Sequence, residues 1–148
     1  MTKRHPDLRD LVETSKGLAH PARLRLLGML ATGELCVCQM TAVLGLASST
    51  VSQHLSVLSR GGLVADRKEG KLVYYRLGEG EIAKTVLPPL LALLGEDEQA
   101  KADRALIERL REVPVLELCA ADLDLVAIGV AKPAPQHPGT PPPRGATP

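Results

Sequence analysis

Two short helical stripes joined across a three-residue turn constrain this chain more than any other feature. Residues 36–44 form the first, closed by Gly45 as a C-terminal cap. Ser48 or Ser49 then offers an N-cap for a helix that runs to Arg60 and stops at Gly61-Gly62. On a helical wheel Val51, Leu55 and Leu58 share one stripe, while Ser49, Ser52, Gln53, Ser56 and Arg60 face the other way. Such a pair is a helix-turn-helix, whose second helix fits the major groove. Its outer face is small and hydroxyl-rich, which lets a backbone approach a groove and leaves Gln53 free to reach an adenine edge. A plain amphipathic helix with a Ser-rich exterior has the same pattern, so this helix does not decide alone. His54 lies on the flank of the stripe, suited equally to packing and to a phosphate or base contact.

The flanking sequence adds the missing weight. Leu8, Leu11 and Val12 mark a first helix over Asp7 to Gly17. Pro21 suits the first turn of a second, which carries Leu24, Leu27 and Leu30 on one stripe and ends near Gly33. After the glycine pair, Leu63 to Arg67 and Leu72 to Leu77 are β-prone runs around Lys68-Glu69-Gly70-Lys71, a short hairpin. Arg67, Lys68 and Lys71 cluster at its tip, with Arg76 following on the second strand. Cations on a projecting ribbon can bracket the phosphate backbone, positioning a protein without reading sequence. Two later helices are expected, Ile82 to Leu94 and Glu98 to Arg111, with Pro88-Pro89 bending or interrupting the first. The segment Val113 to Val130 is apolar-rich without a clear period, and beyond Ala131 the chain is Pro-rich, a composition expected to stay disordered.

Charge and composition exclude several classes. Residues 1–77 hold 11 Lys/Arg against 6 Asp/Glu and residues 78–148 hold 7 against 11, so a polyanion would dock on the first half. Tyr74 and Tyr75 are the only aromatic residues, too few to stack the bases of single strands. The longest apolar run, Val86 to Leu94, is far short of the about 20 residues a bilayer crossing needs, and the N-terminal residues lack a signal-peptide core. The expected location is therefore the cytoplasm. Three cysteines cannot form a closed disulfide framework, leaving free thiols or small buried hydrophobes.

Four motifs in order resemble the ArsR/SmtB family of winged-helix repressors. Gly17-Leu18-Ala19-His20-Pro21-Ala22-Arg23-Leu24-Arg25-Leu26-Leu27 is similar to the family's opening, and Glu34-Leu35-Cys36-Val37-Cys38-Gln39 to the metal box of its arsenic and cadmium sensors. Ser49-Thr50-Val51-Ser52-Gln53-His54-Leu55-Ser56-Val57-Leu58 resembles the recognition helix, and Asp66 to Lys71 with Tyr74-Tyr75-Arg76-Leu77 the wing. The match spans about residues 8–78. It implies a homodimer that holds a palindromic operator and releases it when an inducer ion binds.

Cys36 and Cys38 open the third helix, where a helix N-terminus favours the metal-binding thiolate. Positions i and i+2 of an ideal helix lie about 200° apart, so one ion can meet both sulfurs only if the first turn loosens. That distortion sits one turn from the recognition helix. Soft sulfurs select soft ions, and a trigonal three-sulfur pocket suits As(III) or Sb(III). The family's usual third sulfur would fall at Thr41, and residues 1–35 contain no cysteine, so Cys119 is the only thiol left to complete the set. Plain packing of all three cysteines is the competing account. The family's other metal site, between fifth helices, is not supported, because Ile82 to Leu94 holds no His, Asp or Glu.

These readings converge on a mainly α chain with a β-hairpin wing (α+β), a homodimeric winged helix-turn-helix. Residues 1–112 are expected to form the DNA-binding and dimerisation domain, 113–130 an apolar segment carrying Cys119, and 131–148 the tail. The expected function is a repressor that leaves operator DNA when As(III) or Sb(III) binds Cys36, Cys38 and Cys119; Cd(II), Pb(II) or thiol oxidation are the alternative signals. Ser49, Thr50, Ser52, Gln53, His54, Arg67, Lys68 and Lys71 are the expected DNA contacts. A thiol enzyme built on Cys36 and Cys38 would lack any nucleotide loop, paired carboxylates or base beside the nucleophile, so no catalysis is expected. A Pro-rich docking module around Pro141-Pro142-Pro143 is the third possibility weighed.

Overall fold

The computed structural model describes residues 5–120. The expectations for residues 121–148, including most of the 113–130 segment and the Pro-rich tail, lie outside the described residues. In chain order the elements are α1 (Leu8–Leu18), α2 (Pro21–Leu30), β1 (Leu35–Cys36), α3 (Val37–Leu44), α4 (Ser48–Arg60), β2 (Val64–Glu69), β3 (Leu72–Leu77), α5 (Glu81–Leu94), α6 (Glu98–Leu110) and α7 (Val115–Ala120). The three strands form one small antiparallel sheet of order β1-β3-β2.

Local chemistry explains most boundaries. Asp7 and Asp10 exchange side chain–backbone hydrogen bonds at the start of α1, a reciprocal cap. His20 Nδ1 accepts from Ala22 N–H and Pro21 occupies the first turn of α2. Gly45, at φ 67°, closes α3 in the left-handed conformation that favours glycine. The start of α4 differs from expectation: Ala47 is the N-cap, and Ser48 and Ser49 lie in the first turn.

Three further features have physical reasons. In α1 the apolar stripe is exposed: Leu8 is 78%, Leu11 49% and Val12 46% accessible. Thr14 and Gly17 face inward instead. A methyl at Gly17 would stand 3.0 Å from Leu63 Cδ1, and one at Gly61 only 2.9 Å from Glu13 O, so α1 meets α4 through its small residues. In α2, burial extends beyond one stripe to Leu26, Met29 and others, because this helix packs against α1, α3, α4, α5, α6 and β3. In α5 the helix continues through Pro88 and Pro89. The carbonyls that lose their partners belong to Lys84 and Thr85, whose exposed setting lets water replace the missing N–H groups.

The core gathers Leu26, Leu27 and Leu30 of α2, Met40 and Val43 of α3, Val51, Leu55 and Leu58 of α4, Ile107 and Leu110 of α6, and Leu118 of α7. Truncating one such leucine to alanine typically costs about 2–5 kcal/mol. Arg25 also ties α2 to α6 by donating from Nε and Nη2 to the buried Asp103 carboxylate, each at 2.9 Å, while Gln99 adds a third bond. That network leaves the carboxylate's oxygens partnered, as burial of a charge requires.

Candidate functional site

The buried stripe of α4, Val51, Leu55 and Leu58, turns its opposite face outward, and Ser49, Ser52, Gln53 and Ser56 are exposed there. Thr50 and His54 are half-buried at the flanks. Beyond the glycine pair β2 and β3 form the wing, in register from Val64↔Leu77 to Glu69↔Leu72. Gly70, at φ 60°, makes the tight reversal, and Lys68 and Lys71 beside it are exposed.

Arg67 differs from its neighbours on the wing. Its guanidinium bonds Glu34 and Glu69 and lies 4.6 Å from the Tyr74 ring centre. The hydrogen bonds it donates to Glu34 and Glu69 hold it more firmly charged than an ordinary arginine. In turn the Arg67 hydrogen bond keeps the Glu34 carboxyl below its usual range. Arg67 therefore sits within a surface ion-pair network, whereas Lys68 and Lys71 make no ion pair among the described residues.

His54 has partners that sequence reasoning missed. Arg23 Nη1 lies 3.1 Å from His54 Nδ1, and the His20 ring stands 4.5 Å away, tilted by 47°. Burial, with smaller contributions from His20 and Arg23, holds the His54 pKa below the ordinary histidine value. Nothing in residue spacing links position 23 to position 54; only the crossing of α2 and α4 does.

The thiols divide. Cys38, in the first turn of α3, is joined to Cys119 of α7 by a disulfide spanning 81 residues, with the two Cα atoms 5.9 Å apart. Cys36 is the free, buried cysteine. It lies in β1 opposite Tyr74 and is the N-cap of α3, where its own N–H donates to Gln39 Oε1 at 2.8 Å. Burial pushes the Cys36 thiol up, only partly offset by N–H groups of Cys38, Val37 and Val73. Thr41, at the place of the family's usual third sulfur, is buried with an unpartnered hydroxyl. Among the described residues no three His, Cys, Asp or Glu side chains gather as a metal site. The arrangement thus brings Cys38 and Cys119 together and leaves Cys36 outside the pair.

Comparison with known proteins bears directly on this geometry. The model of a bacterial regulatory protein family, arsR, matches residues 20–66, from the His20 cap through α4 into the wing. The biofilm growth-associated repressor of Agrobacterium fabrum is 42% identical over 86 residues, covering 58% of this chain and 71% of that protein.

The chain belongs to the ArsR family.

As an ArsR-family protein it is a DNA-binding winged-helix transcriptional repressor, and the family's members are regulators rather than enzymes. The arsenical resistance operon repressor of Escherichia coli is similar as well, at 42% identity over 67 residues, 45% of this chain and 57% of that one. Among solved structures, a homodimeric winged helix-turn-helix domain of Mycobacterium bovis superimposes with a TM-score of 0.50. It is 35% identical and covers 67% of this chain and 83% of that one. No helix among the described residues is long and apolar enough to cross a membrane.

Proposed function

We propose that this ArsR-family repressor is a thiol–disulfide switch, holding operator DNA as a reduced dimer and releasing it when Cys38 and Cys119 are oxidised. One observation carries this reading: the two sulfurs are bonded across 81 residues while Cys36 stays outside the pair. A DNA-binding regulator works in a compartment that keeps thiols reduced, where a disulfide is characteristically reversible and redox-sensing.

The chemistry needs two thiols and a two-electron oxidant such as a hydroperoxide. The Cys38 thiolate, in the first turn of α3, attacks the peroxide oxygen, giving a sulfenic acid and an alcohol. The Cys119 thiolate then attacks that sulfur and water leaves. Both residues are half-buried, accessible to a small oxidant. The new bond pins α7 to α3, which packs against α4 through the turn at Gly45. Coupling of this kind is typically about 1–3 kcal/mol, a 5- to 150-fold change in affinity.

In this reading Ser49, Thr50, Ser52, Gln53 and His54 face the groove, Lys68 and Lys71 take phosphates, and Arg67 braces the wing. The exposed apolar stripe of α1, Leu8, Leu11 and Val12, is the dimer face. A second reading keeps the same two sulfurs but gives them As(III), Sb(III), Cd(II) or Pb(II) after reduction. Its support is the similarity to a repressor of arsenical resistance. The three-sulfur set with Cys36 would require β1 to open.

Operator binding by fluorescence anisotropy separates the readings. Under the first, peroxide weakens binding by at least about 5-fold, dithiothreitol restores it, and As(III) added to the reduced protein changes little. Release by As(III) with no effect of peroxide would establish the second instead.

A further inference from the structure

The contact between Arg23 and His54 has a consequence for the recognition helix. A guanidinium has donors only and stays charged at any working pH. Its Nη1 can face His54 Nδ1 at 3.1 Å only if that nitrogen carries no proton. Neutral His54 must then hold its hydrogen on Nε2. Arg23 is itself fixed: Nε donates to Gly17 O at 3.2 Å and Nη2 to Lys16 O at 2.8 Å, the carbonyls at the end of α1. Among the described residues the other titratable group against the ring is His20, at 4.5 Å. His20 Nδ1 is occupied by Ala22 N–H, so its ring too is held in one orientation. No hydrogen bond among the described residues uses His54 Nε2.

We propose that Arg23 is a positioning residue that fixes His54 as the Nε2–H tautomer, so that α4 offers the duplex a neutral donor from His54 beside Gln53. The partner on DNA is a hydrogen-bond acceptor, either a phosphate oxygen or an acceptor on a base edge. Arg23 reads nothing itself, since swinging to DNA would cost it three hydrogen bonds. This rests on α4 being the helix that contacts DNA and is independent of how the thiols respond.

The test uses the full-length, reduced protein with ¹⁵N-labelled histidine. Two-bond proton–nitrogen correlation identifies the His54 tautomer without any DNA present. The wild type shows the Nε2–H form, and Arg23→Met shows a mixture. A wild-type proton on Nδ1, or an unchanged pure tautomer in Arg23→Met, overturns the proposal. Operator binding supplies the second arm. Glutamine places an amide near the position of Nε2 and asparagine near that of Nδ1. His54→Gln therefore loses about 3-fold and His54→Asn at least about 10-fold, equivalent to about 1.4 kcal/mol. Equal losses, or the reverse order, overturn it. Titration against scrambled DNA names the acceptor: a loss shared by both duplexes assigns a phosphate oxygen, and a loss confined to the operator assigns a base edge.

Discussion

Arg67 of the wing donates three hydrogen bonds to Glu34, from Nε to both carboxylate oxygens at 2.9 and 3.0 Å and from Nη2 to Oε1 at 2.6 Å. Glu34 immediately precedes β1, whose Cys36 pairs with Tyr74, the ring that Arg67 covers. The wing and the segment leading to the thiols are thereby closed into one loop of contacts. A carboxylate occupying a guanidinium also withholds that cation from phosphate.

Glu34→Gln should therefore free Arg67. Binding to any duplex tightens, and the slope of log K against log salt steepens by about 0.9, the value for one extra phosphate contact on B-DNA. Titrations between low and moderate salt would show it; an unchanged slope would mean Arg67 never reaches DNA.

The exposed residues should separate by role. Gln53→Ala relaxes base preference at one operator position and costs about 1–3 kcal/mol there. Lys68→Ala and Lys71→Ala weaken operator and scrambled DNA alike, each lowering the salt slope by about 1. Competition binding on both duplexes is the measurement.

Cys38→Ser and Cys119→Ser should bind operator in the reduced state yet ignore peroxide. Cys36→Ser should keep the peroxide response, because serine is a good N-cap and the disulfide does not involve this residue. Closing so long a loop stabilises by about 4–5 kcal/mol in the chain-entropy model, so reduction should lower the melting temperature of wild type by about 10 °C or more. Neither serine variant at 38 or 119 should show that shift.

Acidification should destabilise the fold through His54. Its pKa lies below the ordinary value in the folded state, chiefly because of burial, so between the folded and unfolded values the unfolded chain binds more protons. Stability present at neutral pH is then lost as pH falls below the unfolded histidine value, about 6.5. Urea unfolding at pH 7.5 and 5.5 should show a smaller difference in His54→Gln.

Leu11→Glu should abolish the dimer while leaving each protomer folded, since Leu11 is 49% exposed and outside the core. Sedimentation velocity with circular dichroism reads both quantities. A dimer that survives the charge would move the self-association face away from α1.

Most of the fold was legible because its elements carry local signals. Pro21, Gly45 and Gly61-Gly62 punctuate the chain where helices begin and end, and the period of Val51, Leu55 and Leu58 names the inner side of α4. β1 was not legible: two residues, Leu35 and Cys36, are too few to show alternation, and they form a strand only because β3 lies beside them. The spacing of Leu8, Leu11 and Val12 named α1 as a helix, but apolar spacing marks a surface to be covered without saying whether the cover is the same chain. At the site, the types and order of the exposed residues of α4 and the wing were visible, as were all three cysteines. Which pair of sulfurs meets depends on α7 returning to α3, and the Arg23–His54 and Arg67–Glu34 contacts depend on crossings between distant segments.

The closeness of Gly61 to Glu13 has an architectural outcome. With a methyl's breadth denied at Gly61, 2.9 Å from Glu13 O, α1 meets the end of α4 through a close backbone contact that would couple the movement of the two helices. If α1 is where two copies meet, the span separating the two reading heads is a fixed ruler, laid down by backbone contact. Such a molecule would adjust to an operator by pivoting whole protomers, and a half-site displaced by a single base pair would find no compliant joint to accommodate it.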